Sequence, residues 1–201
     1  KFYHLDEDTQ RNLLLLIISL LIRSPRNRFL FEGYSKILGR QADEDVGKVN
    51  MAQSYRIAKN LCHNGLLSNQ YFILLHSPLK KFIFGDGTLD WLTGNLIANR
   101  INGRTLIPLT PQLCVYFCTP RSMLSTPNCA SVSVAPWMVD WINELTQIYS
   151  KEKLFFLGKT PKLTDAFRER TFLEHKMKAD SLIDLLDDIA GNRMPRDFIS
   201  I

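Results

Sequence analysis

Residues 13–22 read Leu-Leu-Leu-Leu-Ile-Ile-Ser-Leu-Leu-Ile, a run in which one serine is the single polar residue. Asp6, Asp8 and Thr9 precede the run and are good helix N-cap residues, so we predict a helix from about residue 8 to Ile22. The helix is apolar on nearly all sides, which indicates a central and buried position. It is much shorter than the roughly 20 residues that span a bilayer, and we expect no interaction with a membrane.

Two further helices are predicted after this run. Ser24-Pro25 ends the first helix, because the residue before a proline is pushed out of the α region, and Pro25 can start a second helix from Arg26 to Leu38. A polar connection from Gly39 to Gly47 comes next. Apolar residues at near-helical spacing then predict a third helix that ends at Asn64-Gly65.

The spacing changes from Tyr71 onward to short runs rich in aromatic and branched residues, which is typical of strands. We predict four strands, at residues 71–75, 81–84, 105–109 and 113–118. Asn102-Gly103 predicts a turn, and Pro108 and Pro111 restrict regular pairing to sheet edges or strand ends.

The last third of the chain returns to helical spacing. We predict an amphipathic helix over Met138 to Tyr149, a short buried strand from Leu154 to Leu157, and one or two helices between Thr164 and Ala190. Trp91, Trp137 and Trp141 could stack nucleic-acid bases beside basic residues. Because Trp137 and Trp141 lie four residues apart, on one helical face, we expect them to pack in the core instead.

These elements predict an α+β fold, with a helical layer from the N-terminal third packed on a small, mainly antiparallel sheet and with C-terminal helices. The chain has 201 residues, of which 45% are hydrophobic and 22% charged, as expected for an ordinary globular protein. We therefore predict a single domain over residues 1–201, with a core at about 8–160 and a helical appendage at about 161–201.

The four cysteines, Cys62, Cys114, Cys118 and Cys129, are interpreted as reduced thiols that pack as small hydrophobic groups. The start of the chain has no signal-peptide pattern, so we expect a cytoplasmic location. No paired CxxC elements, two-histidine metal motif, glycine-rich phosphate loop or dinucleotide fingerprint occurs. No metal or cofactor is predicted.

The distribution of charge indicates two kinds of partner. The net charge of +5 and the clustered Arg23, Arg26 and Arg28 favour nucleic acid or another phosphate-bearing ligand. Arg26 and Arg28 would bind phosphate near a helix start, although a solvated basic face needs no ligand. The region from Asp180 to Asp188 is acidic and can contact a protein partner.

Three short motifs occur in an order that resembles a known bacterial family. They are Arg23-Ser24-Pro25, Phe82-Ile83-Phe84-Gly85-Asp86, and Ile107-Pro108-Leu109-Thr110-Pro111, and Val139-Asp140-Trp141-Ile142-Asn143 fits a later helix. The chain resembles the family catalogued as domain of unknown function four-two-three-eight, over about Leu13 to Gly158. Gly85 and Gly87-Thr88 depart from that family's pattern. The resemblance implies a fold and the location of a site, and it implies no reaction.

Asp86 is the leading candidate for chemistry, because the flanking Gly85 and Gly87 let a ligand approach closely. Asp86 can equally be a turn residue that bonds its own backbone. Asp90, four residues on, would form a carboxylate pair with it. Arg23 can grip phosphate, cap the preceding helix, or pair with Asp86. Among the histidines, His4 is the candidate general acid or base.

Two functional hypotheses follow from these residues. In the first, the protein acts on nucleic acid as a toxin-like or defence-associated ribonuclease, with Asp86, Arg23 and His4 as catalytic residues. In the second, it is a non-enzymatic protein-interaction module in which Arg23 and Asp86 form a structural ion pair. The first hypothesis requires Arg23 and Asp86 to share one accessible cleft.

Overall fold

The computed structural model describes residues 1–24, 32, 35–39, 44–64, 70–90, 104–118, 128–169 and 181–190. Three of the expected features lie wholly or mainly outside these ranges: the helix from Arg26 to Leu38, the Asn102-Gly103 turn, and the phosphate-binding Arg26 and Arg28. Within the second-helix segment, Glu32 and residues 35–37 are helical.

Helix α1 spans Glu7–Arg23, close to the predicted bounds. Asp6 is its N-cap, and the Asp6 carboxylate accepts a hydrogen bond from the backbone N–H of Thr9 at 2.8 Å. Helix α2 spans Glu44–His63 and packs against α1. It begins before Gly47, where a polar connection was expected, because a polar composition does not prevent helix formation when the apolar residues that follow anchor the helix.

A six-stranded sheet forms the centre of the molecule. Its strands are β1 (Phe2–Tyr3), β2 (Tyr71–His76), β4 (Leu89–Asp90), β5 (Arg104–Thr110), β6 (Leu113–Cys118) and β7 (Cys129–Ser133). They lie side by side in the order β1-β7-β2-β6-β5-β4. Every pairing is antiparallel except that of β2 with β7, which is parallel. A separate two-stranded sheet joins β3 (Phe84–Gly85) to β8 (Leu154–Phe155).

Both faces of the central strands are covered by helices. Side chains at alternate positions of a strand point to opposite faces, and the two buried clusters follow that alternation. Phe72, Val115 and Phe117 pack against α1 and α2 in one cluster. Ile73 and Tyr116 face the opposite cluster, which contains helix α3 (Pro136–Tyr149). This arrangement confirms the α+β class, with helices on both sides of the sheet.

The chain ends, within the described ranges, in two short helices, α4 (Asp165–Arg168) and α5 (Ser181–Ile189). Leu182, Ile183 and Leu186 of α5 are buried in the same cluster as α3 and the sheet. Helix α5 is therefore part of the core and not an appendage to it, because its apolar side chains are buried together with those of α3 and the sheet.

Three expectations about local structure need correction. Residues 81–83 are not in a strand, and β3 begins only at Phe84. Trp137 and Trp141 are 51% and 42% exposed and contact each other edge to face, with ring centroids 5.0 Å apart. The segment from Leu154 to Leu157 is a two-residue strand followed by exposed residues, because only the small second sheet pairs with it.

Candidate functional site

The Asp86 side chain holds the main chain that follows α3. Its Oδ1 accepts a hydrogen bond from the backbone N–H of Lys151 at 2.7 Å, and its Oδ2 accepts one from Glu152 at 3.0 Å. Its own backbone N–H donates to the carbonyl oxygen of Lys153 at 3.1 Å. Both carboxylate oxygens are thus engaged by a distant loop and not by the local turn, which gives Asp86 a structural role.

The two glycines beside Asp86 allow the C-terminal end of α3 to pack closely against them. A Cβ atom at Gly87 would lie 1.9 Å from the carbonyl oxygen of Tyr149, and one at Gly85 would lie 1.7 Å from the Ser150 hydroxyl. Real Cβ atoms do not approach other atoms so closely, so any side chain here would push α3 away. The glycines serve the close approach of the α3 C-terminus, where a ligand was expected.

Arg23 is exposed in the last turn of α1, and it forms no ion pair with Asp86. Helix α1 packs on one face of the sheet, whereas Gly85 and Gly87 pack against α3 on the other face. The structure therefore does not bring Arg23 and Asp86 together, because the sheet separates the elements that carry them.

His4 is exposed between β1 and the N-terminus of α1. Helix α1 has 17 residues, which at a rise of about 1.5 Å per residue separates its two ends by about 25 Å. His4 and Arg23 lie at these opposite ends and do not form one site. Asp90 pairs with Thr105 through the backbone of β4 and β5.

A buried polar cluster that the sequence did not reveal attaches α5 to the sheet. The Asp187 carboxylate accepts hydrogen bonds from the Tyr116 hydroxyl at 2.7 Å and from Arg104 Nε at 2.6 Å. The Asp187 side chain is 5% exposed, and its charge is compensated by the guanidinium. Asp187 raises the pKa of Arg104 by accepting its hydrogen bond, and burial raises the pKa of Tyr116. The cluster is complete without a ligand.

A groove of about 1120 Å³ lies beside α3, and we call it the α3 groove. Residues of the segments 79–83 and 156–165 line it, and we call these segments its two walls. Its volume slightly exceeds the upper end of the usual range for small-molecule pockets, about 1,000 Å³. An opening of this size can hold a small molecule or a short segment of a chain molecule.

Two buried amide side chains, one helical turn apart on α3, hold the two walls. Asn143 accepts a hydrogen bond from the backbone N–H of Ile83 at 3.0 Å and donates one to the carbonyl oxygen of Lys81 at 3.1 Å. Gln147 donates to the carbonyl oxygen of Lys162 at 3.0 Å and accepts from the N–H of Thr164 at 2.8 Å. The backbone of Lys81 and that of Lys162 are therefore fixed beside successive turns of α3, in the two walls of the groove.

Among the described residues that line the α3 groove, positive charges outnumber negative charges. Its charged lining residues are Lys80, Lys81, Lys159, Lys162 and Arg168 against Asp140, Glu144 and Asp165. Two of the acids are compensated within the groove, Asp140 by Lys80 at 2.5 Å and Asp165 by Arg168 at 3.5 Å. Among the described residues, Lys81, Lys159 and Lys162 form no ion pair. These three ammonium groups can meet an anion.

The cysteines and the metal-binding side chains are weaker candidates for a functional site. The four cysteines are free and buried, and burial raises the pKa of Cys62 and Cys129 to about 11 and that of Cys118 to about 12. They are therefore protonated at neutral pH and poor nucleophiles. No three metal-binding side chains gather in the part of the chain that the structure describes.

The acidic helix α5 turns part of its surface outward. Asp184 and Asp188 are exposed, together with Leu185 at 40%. A protein partner at this face stays a prediction. Among the described helices, none has both the length and the apolar composition needed to cross a membrane.

The chain matches no protein-family model, no curated protein and no solved structure. The resemblance to the bacterial family of unknown function therefore stays a prediction. The sequence did contain one pointer to the α3 groove, since Asn143 stands in the helix motif on which that resemblance partly rests.

Proposed function

We propose that this domain binds nucleic acid in the α3 groove. The observation that supports the proposal is that Lys81 and Lys162, which lie in different walls of one groove, are each on main chain that an amide of α3 holds in position. A lysine whose main chain is fixed before binding loses less conformational entropy when it binds a ligand than a lysine on a mobile segment does.

Phosphate is an anion that this set of side chains can bind, because lysine binds phosphate as a point charge. Among the described residues that line the groove, the one arginine, Arg168, is already paired with Asp165. The net charge of +5 also favours approach of a polyanion.

In this proposal the protein is a binding module, and Asp86 is a structural residue that shapes one wall. The loop from Lys151 to Glu152 leads into β8 and the groove wall, and Asp86 holds its start through both carboxylate oxygens. The ribonuclease hypothesis assigned Asp86 to proton transfer, which would compete with these hydrogen bonds.

The test is a charge-removal variant of the groove. We expect K81Q/K159Q/K162Q to bind labelled RNA and DNA oligonucleotides more weakly than the wild type at low salt, as measured by fluorescence anisotropy. Loss of three phosphate contacts to a single strand should also reduce the slope of log K against log salt by about 2. The substituted side chains are on the surface or at its margin, so folding should be retained.

A matched control removes three charges on the other side of the sheet. R23Q/R56Q/K59Q changes exposed residues of α1 and α2 and lowers the net charge by the same amount. We expect it to bind nearly as well as the wild type. Equal losses in both triple variants would refute the groove and indicate binding by net charge alone.

A further inference from the structure

Phe156 is an exposed aromatic ring in the wall of the α3 groove. It lines the groove and is 42% exposed, and the next residue, Leu157, is 63% exposed. An exposed phenylalanine is unfavourable in water, since burial of such a ring stabilises a protein by about 1.5 to 3 kcal/mol. The ring lies in the same wall as Lys159 and Lys162.

The main chain on both sides of Phe156 is held in place. Before it, Asp86 binds the N–H groups of Lys151 and Glu152. After it, Gly158 turns the chain with a φ of 96°, a conformation that side chains rarely allow, and Gln147 then fixes residues 162–164. The ring is thus presented from a segment that is anchored at both ends.

We propose that the α3 groove selects single-stranded nucleic acid, with one base stacked on the Phe156 ring and adjacent phosphates bound by the lysines. The inference rests on the proposed function and specifies its ligand. Rings that stack bases, set among cations that follow the phosphates, are the usual means of binding single strands. The bases of a duplex are already stacked on each other and do not offer a free face.

The groove has both parts of such a site. Lys159 follows Phe156 by three residues in the same wall, and Lys81 lies in the other wall. A strand that lies along the groove can therefore place a base on the ring while its phosphates reach ammonium groups of the same groove. The groove volume of about 1120 Å³ has room for more than one nucleotide.

The experiment compares F156L with F155L in the full chain. Leucine keeps the apolar character of position 156 and removes the flat ring. Phe155 is the matched control, because it is the adjacent residue, is 57% exposed, and is not among the residues that line the groove. The probes are a ten-nucleotide oligothymidine, an abasic phosphodiester chain of the same length, a duplex of the same length, and a polyglutamate peptide.

We expect the wild type to bind oligothymidine about tenfold more tightly than the abasic chain, which is the usual gain from stacking one base. F156L should lose that difference and bind both chains alike, whereas F155L should behave as the wild type. The duplex should bind more weakly than the single strand.

Each contrary result has its own meaning. If F156L binds oligothymidine as the wild type does, or if the duplex or polyglutamate binds more tightly than the single strand, the inference is overturned. The abasic chain separates this inference from the proposed function. If the wild type binds the abasic chain and K81Q/K159Q/K162Q does not, the protein recognises phosphate in the groove, even if the stacking inference fails. If the wild type binds no strand at all, both the proposed function and this inference are overturned.

Discussion

At the scale of single residues, Gly85, Asp86 and Gly87 act together as a clasp on the end of α3. The glycines let Tyr149 and Ser150 approach closely, and the Asp86 carboxylate accepts hydrogen bonds from the N–H groups of Lys151 and Glu152. A hydrogen bond to a charged group contributes about 1.5 to 3 kcal/mol when it is shielded from water, and the exposed bond to Glu152 contributes less than the part-buried bond to Lys151. A segment that looked like an open catalytic turn is therefore filled by the protein's own backbone.

We predict that Gly87→Ala lowers the free energy of unfolding by about 2 to 3 kcal/mol, because the added methyl group meets the Tyr149 carbonyl and overpacks the contact. Urea unfolding measures the loss. The matched control is Gly47→Ala in α2, where nothing lies within 4 Å of the added atom. That variant should gain about 0.5 to 1 kcal/mol from helix propensity. Equal stability of the two variants would show that the close contact of Gly87 with the end of α3 does not contribute to stability.

At the scale of elements, α5 is joined to the sheet by burial of its apolar residues and by the Asp187 cluster. Leu182, Ile183 and Leu186 have exposures of 1%, 2% and 0%. Asp187 adds direction to this contact, since its two oxygens bind Arg104 of β5 and Tyr116 of β6. One helical turn thus contacts two neighbouring strands, which sets how the helix lies on the sheet.

We predict that Asp187→Ala destabilises the protein by about 3 kcal/mol, because it leaves the partly buried Arg104 without its counter-ion. Hydrogen exchange should accelerate most in residues 181–190, since α5 loses its polar anchor. Asp184→Ala is the control, because Asp184 is exposed on the same helix, and it should cost less than about 1 kcal/mol. Unchanged exchange in α5 of the Asp187 variant would show that apolar packing alone holds the helix.

At the scale of the whole molecule, the core contains several titratable side chains that stay protonated in the folded protein. Burial raises the pKa of the thiols of Cys62, Cys118 and Cys129, and it raises the pKa of the phenol of Tyr71 in the same direction. In the unfolded chain these thiols ionise near pH 8.5, but the folded chain keeps them neutral to about pH 11 or 12. High pH therefore favours unfolding.

The stabilising contribution of these groups is complete below about pH 8.5 and is lost as the pH rises toward their folded-state pKa values. We predict that the melting temperature falls progressively above about pH 9, measured by circular dichroism in buffers of equal ionic strength. The Cys118→Ala variant lacks one of the titrating groups, so its melting temperature should fall less over the same pH range. A melting temperature that stays constant from pH 7 to pH 10.5 would contradict the prediction.

Much of the architecture could be predicted from local patterns. The apolar run at 13–22 with its Asp6 cap, the strand at 71–75, the strand at 113–118 and the helix to Tyr149 all form near the predicted positions. Periodicity could not place Trp137 and Trp141, because an amphipathic helix tells which residues share a face and not whether a neighbour covers that face. The strand β7 was missed because its residues, Cys129–Ser133, are few and follow a proline-rich stretch.

The sequence by itself determined the class of the fold, since helical and strand-like spacing depend on neighbours a few residues apart. The tertiary structure alone decided the site. It set Arg23 and Asp86 on opposite sides of the sheet, and it brought Lys81 and Lys162 to one groove although they are far apart in the chain. The physical reason is that the groove depends on the long-range hydrogen bonds of Asn143 and Gln147, and no local pattern records which main chain an amide will bind.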